Sequence, residues 1–183
     1  MIEKVGLTGL NASGKGEAAR ILEKYGYSYV SLSDIVREEA SRRGLDHSRE
    51  SLINTGNGLR QEKGAGVLAV LILERLDKYS VIDSIRNPEE VQVLKTAGDF
   101  ILLGIRADSR TRFERMKKRG RIGDALTFEE FILMEEREQS NSEYAQQLHL
   151  CLDLADMYID NDETLDSLEL QIIKACGIEE SGK

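Results

Sequence analysis

Gly9-Leu10-Asn11-Ala12-Ser13-Gly14-Lys15 satisfies G-x-x-x-x-G-K, and it stands between a strand-like run, Lys4–Thr8, and a helix-like run, Glu17–Tyr25. That context gives the pattern physical meaning: glycines let the backbone curl, the N–H groups of the curl and of the helix start converge, and the lysine reaches an outer phosphate. A lysine at a helix N-terminus opposes the dipole unless an anion joins it. The expected ligand is a nucleoside triphosphate, ATP with Mg²⁺, contacted by Gly9, Asn11, Ala12, Ser13, Gly14, Lys15, Gly16 and Glu17. The hydroxyl residue that usually follows the lysine and ligates Mg²⁺ is Gly16 here, with Glu17 after it. The metal must then be held through water and a more distant carboxylate.

Further groups suited to phosphate chemistry lie downstream. Ser33, Asp34 and Arg37 follow the apolar run Tyr27–Leu32, and Asp83 and Arg86 close the run Ser80–Ile85, so both sets fall at strand ends, where open α/β sheets bind ligands. Asp83 is the expected metal-side carboxylate, acting through water, while Ser33, Asp34, Arg37 and Arg86 face an acceptor. Ser33 or Asp34 would also serve as a helix cap. Arg60, among the glycines of Asn54–Gly66, is a third possible clamp, although such glycines more commonly mark helix breaks. From Arg106 to Arg121 the chain carries eight of its 25 Lys and Arg residues against only Asp108 and Glu114. Arg112, Arg115 and Arg119 fall on one helical face, and Gly120 frees Arg121 from it. Arg115, Arg119 and Arg121 are therefore expected, with Lys15, to neutralise charge during phosphoryl transfer, although a solvated basic face is the commoner origin of such a run.

The elements that must position these groups alternate: strands at Lys4–Thr8, Tyr27–Leu32, Ser80–Ile85, Phe100–Ala107 and Met157–Asp160, separated by helical stretches. This predicts an α/β, three-layer P-loop NTPase fold with a five-stranded parallel sheet. The interval Ser33–Lys78 reads as helical, broken near Gly44, Gly56 and Gly64. Asn87-Pro88-Glu89-Glu90 and Thr127-Phe128-Glu129-Glu130 carry helix-start signals. The expected organisation is one domain over 1–178, with a core of 1–32, 80–110 and 155–178, a helical acceptor-binding insert of 33–79, a lid of 111–140, and a frayed tail of 179–183.

A length of 183 residues suits one domain. The net charge of −8 argues against general nucleic-acid binding, which rewards clustered cations. The apolar run Val67–Leu73 is about a third of a membrane span. Cys151 and Cys176 make neither a zinc set nor a redox pair. The expectation is a cytoplasmic protein without nucleic-acid or membrane partners, its oligomeric state open.

Gly-Lys-Gly resembles adenylate kinase-like enzymes, although Glu17 replaces their threonine. Ser31-Leu32-Ser33-Asp34-Ile35-Val36-Arg37 resembles the S-T-G-D-[LI]-[LV]-R stretch of nucleoside monophosphate kinases, and Asp83-Ser84-Ile85-Arg86 loosely resembles their D-G-F-P-R, one residue shorter. Ala155–Asn161 followed by Thr164-Leu165 resembles the ending of dephospho-CoA kinases, which implies that Asn161 and Asp162 border the adenine. Over nearly its whole length the chain looks like archaeal adenylate kinase-related proteins and the kinase-like N-terminal module of deoxycytidylate deaminase-like proteins. The latter implies a separate deaminase-like partner, since neither H-x-E nor P-C-x-x-C occurs here. Three functions stay open: a nucleoside or deoxynucleoside monophosphate kinase, a hydroxyl kinase of the dephospho-CoA kinase type, and a nucleotide-sensing module without turnover.

Overall fold

The computed structural model describes residues 1–120, 125, 127–138, 143–144 and 146–179. Five parallel strands form the sheet, β1 (Lys4–Thr8), β2 (Ser28–Ser31), β3 (Ser80–Asp83), β4 (Phe100–Arg106) and β5 (Met157–Asp160), in the order β2-β3-β1-β4-β5. Register is set by pairs such as Val5 with Val81 and with Ile101, and Ile105 with Ile159. Neighbouring residues bury opposite faces. Val81 and Leu103 join the cluster under α1 (Lys15–Lys24) and α9 (Leu165–Cys176), whereas Ile82 and Leu102 join the cluster on the other side. Both faces are covered, as the apolar strands of a parallel sheet require.

That second cluster is built by α2 (Leu32–Arg42), α3 (Arg49–Lys63), α4 (Val67–Leu73), α5 (Pro88–Lys95) and α8 (Leu148–Asp153), through Ile35, Leu59, Leu68, Val91 and Cys151. The insert thus shares its core with the sheet. A third, small cluster joins α6 (Ser109–Arg119) to α7 (Phe128–Glu138) through Phe113, Met116, Ala125 and Phe131, with Ala12 of the glycine-rich loop packed against it.

Sequence and structure differ at a few boundaries. Gly44 and Gly64 do end helices, at φ of 70° and 101°, but Gly56 lies inside α3, where its bare Cα faces Val36 of α2. Strand β3 stops at Asp83 because Ser84 turns to φ 66°. Both helix-start signals form as capping boxes, Asn87 with Glu90 and Thr127 with Glu130. Cys151 and Cys176 are free, buried and in different clusters. Among the described residues no helix is long and apolar enough to cross a membrane.

Candidate phosphoryl-transfer site

Strand β1 is central, and the chain runs to β2 and β3 on one side of it before crossing to β4 and β5 on the other. The loop leaving β1 therefore opens at the point where the strand order reverses, the ligand crevice of such sheets. Its curl comes from Gly9, Ala12 and Gly14 at φ of 150°, 60° and 105°. A methyl at Gly9 would stand 2.4 Å from the Ile105 carbonyl oxygen, and one at Gly14 would stand 2.0 Å from Asn161 Nδ2. Lys15 folds back, Nζ donating to the carbonyls of Gly9 at 2.8 Å and Leu10 at 3.1 Å.

The charges around that ammonium are mostly of its own sign. Burial pulls Lys15 down to about 8; Asp83 opposes this, while Arg86, Arg112 and Arg119 add to it. Cations gathered from three separate segments repel one another, and a polyanion converts that repulsion into attraction. Two buried polar atoms lack hydrogen-bond partners here, Ser13 Oγ and Arg115 Nη1. A polyphosphate would supply acceptors for both, so the residues fit that ligand.

Helix α6 delivers its arginines as the spacing predicts, to three different tasks. Arg112 is buried and fully used, Nε donating to the Ala107 carbonyl, Nη2 to Glu135 Oε2 at 2.9 Å, and Nη1 to Glu135 Oε1 and the Asn11 carbonyl. Arg115 Nη2 donates to the Asn161 carbonyl at 2.7 Å, and Arg119 Nη1 reaches Asn11 Oδ1 at 3.5 Å. Arg121 lies outside the described residues.

Asn161, expected to border the adenine, is set into the fold. It is 4 % exposed and its Nδ2 donates to the Ser13 carbonyl at 2.9 Å, supporting the loop from β5. Asp162 accepts the Asp108 N–H at 2.8 Å. Gly16 is exposed, with open space where a side chain would go, and Glu17 pairs with Arg20 at 2.5 Å on the exposed face of α1. A metal near the phosphates would therefore meet Asp83, whose Oδ1 accepts the Ser84 N–H at 2.6 Å and Oδ2 the Tyr29 hydroxyl at 3.2 Å. Among the described residues no group of three or more His, Cys, Asp or Glu could hold a metal by itself.

On the side expected to face an acceptor, hydroxyls line up across the ends of β2 and β3: Ser31 Oγ lies 2.9 Å from Ser33 Oγ and donates to Ser84 Oγ at 3.1 Å. Arg37 donates to Ser33 Oγ at 2.9 Å and Asp34 Oδ1 at 2.6 Å, with Arg37 and Asp34 both about half exposed. Arg86 donates from Nη1 to Gln146 Oε1 at 2.8 Å, and burial pulls its guanidinium below the ordinary value. Arg60 departs from its expected place as a clamp. It is 2 % exposed, its Nε and Nη2 both on Glu90 Oε1, so its charge is already answered inside the protein. Of the residues missed in the sequence, Glu90 and Glu135 accept from arginines 30 and 23 positions away, and Ser84 accepts from the Ser31 hydroxyl 53 positions away. Of these signals only the capping box at Glu90 was legible.

The AAA domain family (AAA_17) matches residues 8–131, from the glycine-rich loop to α7. The UPF0200 protein of Pyrococcus abyssi is 34 % identical over 175 residues, covering 91 % of each chain. The chain belongs to the UPF0200 family, with an AAA domain. Two solved folds resemble this member along almost all of its length. Shikimate kinase from Acinetobacter baumannii in complex with shikimate covers 96 % of this chain and 93 % of its own at TM-score 0.58 and 13 % identity. A gluconokinase from Sinorhizobium meliloti covers 95 % and 93 % at TM-score 0.53 and 14 % identity. The fold of this UPF0200 chain is that of a P-loop kinase.

Proposed function

We propose that the protein is an ATP-dependent phosphotransferase that passes the γ-phosphate to a small, nucleotide-like acceptor at the ends of β2 and β3. The observation that carries this reading is the gathering of Arg86, Arg112 and Arg119 about a half-buried Lys15 beside the partnerless Ser13 Oγ. In the proposed reaction an acceptor oxygen bonds to the γ-phosphorus as the bond to the β,γ-bridging oxygen breaks, and ADP leaves. Lys15 and Arg119 would steady the outer phosphates, and Arg86 would neutralise the transferring group and the acceptor together. Mg²⁺, held by Asp83 through water and by the phosphate oxygens, would supply further charge neutralisation.

Among acceptors, a nucleoside or deoxynucleoside monophosphate comes first, because Arg37 on α2 and Arg86 after β3 follow neighbouring strands and would clamp an acceptor phosphate between them. The Arg37–Asp34 pair is half exposed and exchanges readily for a phosphate. A hydroxyl acceptor, as in dephospho-CoA kinases, draws on a different observation, the row Ser31, Ser33 and Ser84 with Asp34 as base. The named kinases of similar fold act on shikimate and, by its name, gluconate. A nucleotide-sensing role, with or without a separate deaminase-like partner, draws on Gly16, which withholds the metal-binding hydroxyl. An ADP-release assay over nucleoside monophosphates, dephospho-CoA and small hydroxy acids tests all three. Tight ATP binding with no ADP from any acceptor would leave only the sensing role.

A further inference from the structure

Glu90 is fully buried, and among the described residues its carboxylate accepts four hydrogen bonds. Oε1 accepts from Arg60 Nε at 3.0 Å and Nη2 at 2.8 Å, while Oε2 accepts from the N–H of Arg86 at 2.8 Å and of Asn87 at 3.0 Å. Four donors on one side chain leave a carboxylate as the group that satisfies them all, since an amide would turn its own NH₂ toward N–H groups. Arg60, its side chain 3 % exposed, is the ion-pair partner of Glu90 at 2.8 Å.

A buried ion pair is a poor source of stability, because well-packed apolar side chains do as well. Apolar side chains could not hold the Arg86 backbone. The same residue is gripped elsewhere, its carbonyl accepting the Gln147 N–H at 2.7 Å and its guanidinium meeting Gln146. Asn87 Nδ2 adds a bond to the Glu143 carbonyl at 2.6 Å. The chain from β3 into α5 is therefore fixed against α3 of the insert on one side and against Glu143, Gln146 and Gln147 on the other.

The structure assigns Glu90 as the positioning residue for Arg86: with Arg60 it locks the backbone from which the Arg86 guanidinium reaches the crevice, and so ties the insert to the phosphoryl-transfer centre. The assignment rests on the phosphotransferase reading above. Glu90→Gln is expected to lower transfer ten- to a hundredfold, the scale at which small misplacements of a clamp act, while ATP affinity at the loop stays within about twofold.

The test is a double-mutant cycle in the full chain with Glu90→Gln, Arg86→Met and both, read in acceptor kcat/KM and in thermal stability. If Glu90 works through Arg86, adding Glu90→Gln to Arg86→Met leaves kcat/KM unchanged while it still lowers the melting temperature. Losses in kcat/KM that multiply, or full transfer by Glu90→Gln, would overturn the assignment. Should the wild type bind ATP yet transfer to no acceptor, the phosphotransferase reading fails first, and amide hydrogen exchange then decides the positioning claim. Exchange in Glu90→Gln should accelerate at Arg86, Asn87 and around Arg60, with the loop at Gly9–Lys15 unchanged. Uniform acceleration, or none at Arg86 and Asn87, contradicts it. If Glu90→Gln does not fold, Glu90→Asp serves in its place: it keeps the charge for Arg60 but is one methylene short of the Arg86 and Asn87 N–H groups, so exchange there should accelerate, and unchanged exchange contradicts the assignment.

Discussion

Asn161 Nδ2 donates to the Ser13 carbonyl at 2.9 Å, and it does so across the space that a side chain at Gly14 would fill. Strand β5 therefore holds the phosphate loop in its curl, and Gly14 is fixed by two causes, its φ of 105° and the nearby amide.

Gly14→Ala should abolish ATP binding and destabilise the fold by about 1–3 kcal/mol through backbone strain. Asn161→Ala, which leaves the buried Ser13 carbonyl unpaired, should cost about 1–3 kcal/mol. In the double variant the collision is gone but the left-handed backbone is not, so binding should return only in part. Urea unfolding and ATP titration calorimetry read both effects.

Lys15 gives the site a pH signature. In the free protein its proton is lost near pH 8, because burial and neighbouring arginines disfavour the charged form. A bound polyphosphate favours that form and raises the pKa, so the complex holds its proton to higher pH. ATP affinity should be steady from pH 7 to about 8 and then fall by up to about tenfold per unit as binding takes up a proton. Calorimetry in buffers of different ionisation enthalpy counts that proton. Lys15→Met should remove the uptake and weaken binding at least about tenfold.

The sheet and the phosphate loop were legible because they rest on local signals: short apolar runs alternating with helical stretches, a spaced glycine pair, and caps such as Asn87 to Glu90. Gly56 misled because a glycine inside a helix and one that ends it look alike in sequence; packing of α3 against Val36 of α2 decided the matter. The contacts that Arg60 and Asn161 make were not legible for a related reason. Their partners, Glu90 and Ser13, lie 30 and 148 positions away, and no spacing rule reaches so far. The spacing of Arg112, Arg115 and Arg119 announced a shared face, yet Glu135 gave the first of them a different task.

That task can be probed. Glu135→Gln removes the carboxylate that meets Arg112, a pair with side chains 5 % and 13 % exposed, and should cost about 3 kcal/mol. Because Arg112 stands among the cations around Lys15, its freed charge becomes available to an anion. ATP should then raise the melting temperature of Glu135→Gln by more than that of the wild type, measured by thermal shift at matched ligand occupancy.

Gly16 offers the opposite kind of change. With no atom within 4 Å of a Cβ built there, Gly16→Ser fits without displacement, and exchanging glycine in a helix should add about 0.5 kcal/mol of stability. The new hydroxyl follows Lys15, where a metal-bound nucleotide lies in related loops. Mg²⁺ should bind the ATP complex more tightly in Gly16→Ser, read by Mg²⁺ titration of a fluorescent ATP analogue.

The central claim is phosphoryl transfer by a site organised on Lys15. Phosphorus NMR of ATP, Mg²⁺ and the acceptor panel tests it most directly, because it shows both the ADP formed and the bond made, an anhydride for a monophosphate acceptor or an ester for a hydroxyl. The wild type should convert ATP to ADP with one new acceptor resonance, and Lys15→Met should show neither. ATP bound through Lys15 but unchanged, with every acceptor present, would contradict the claim.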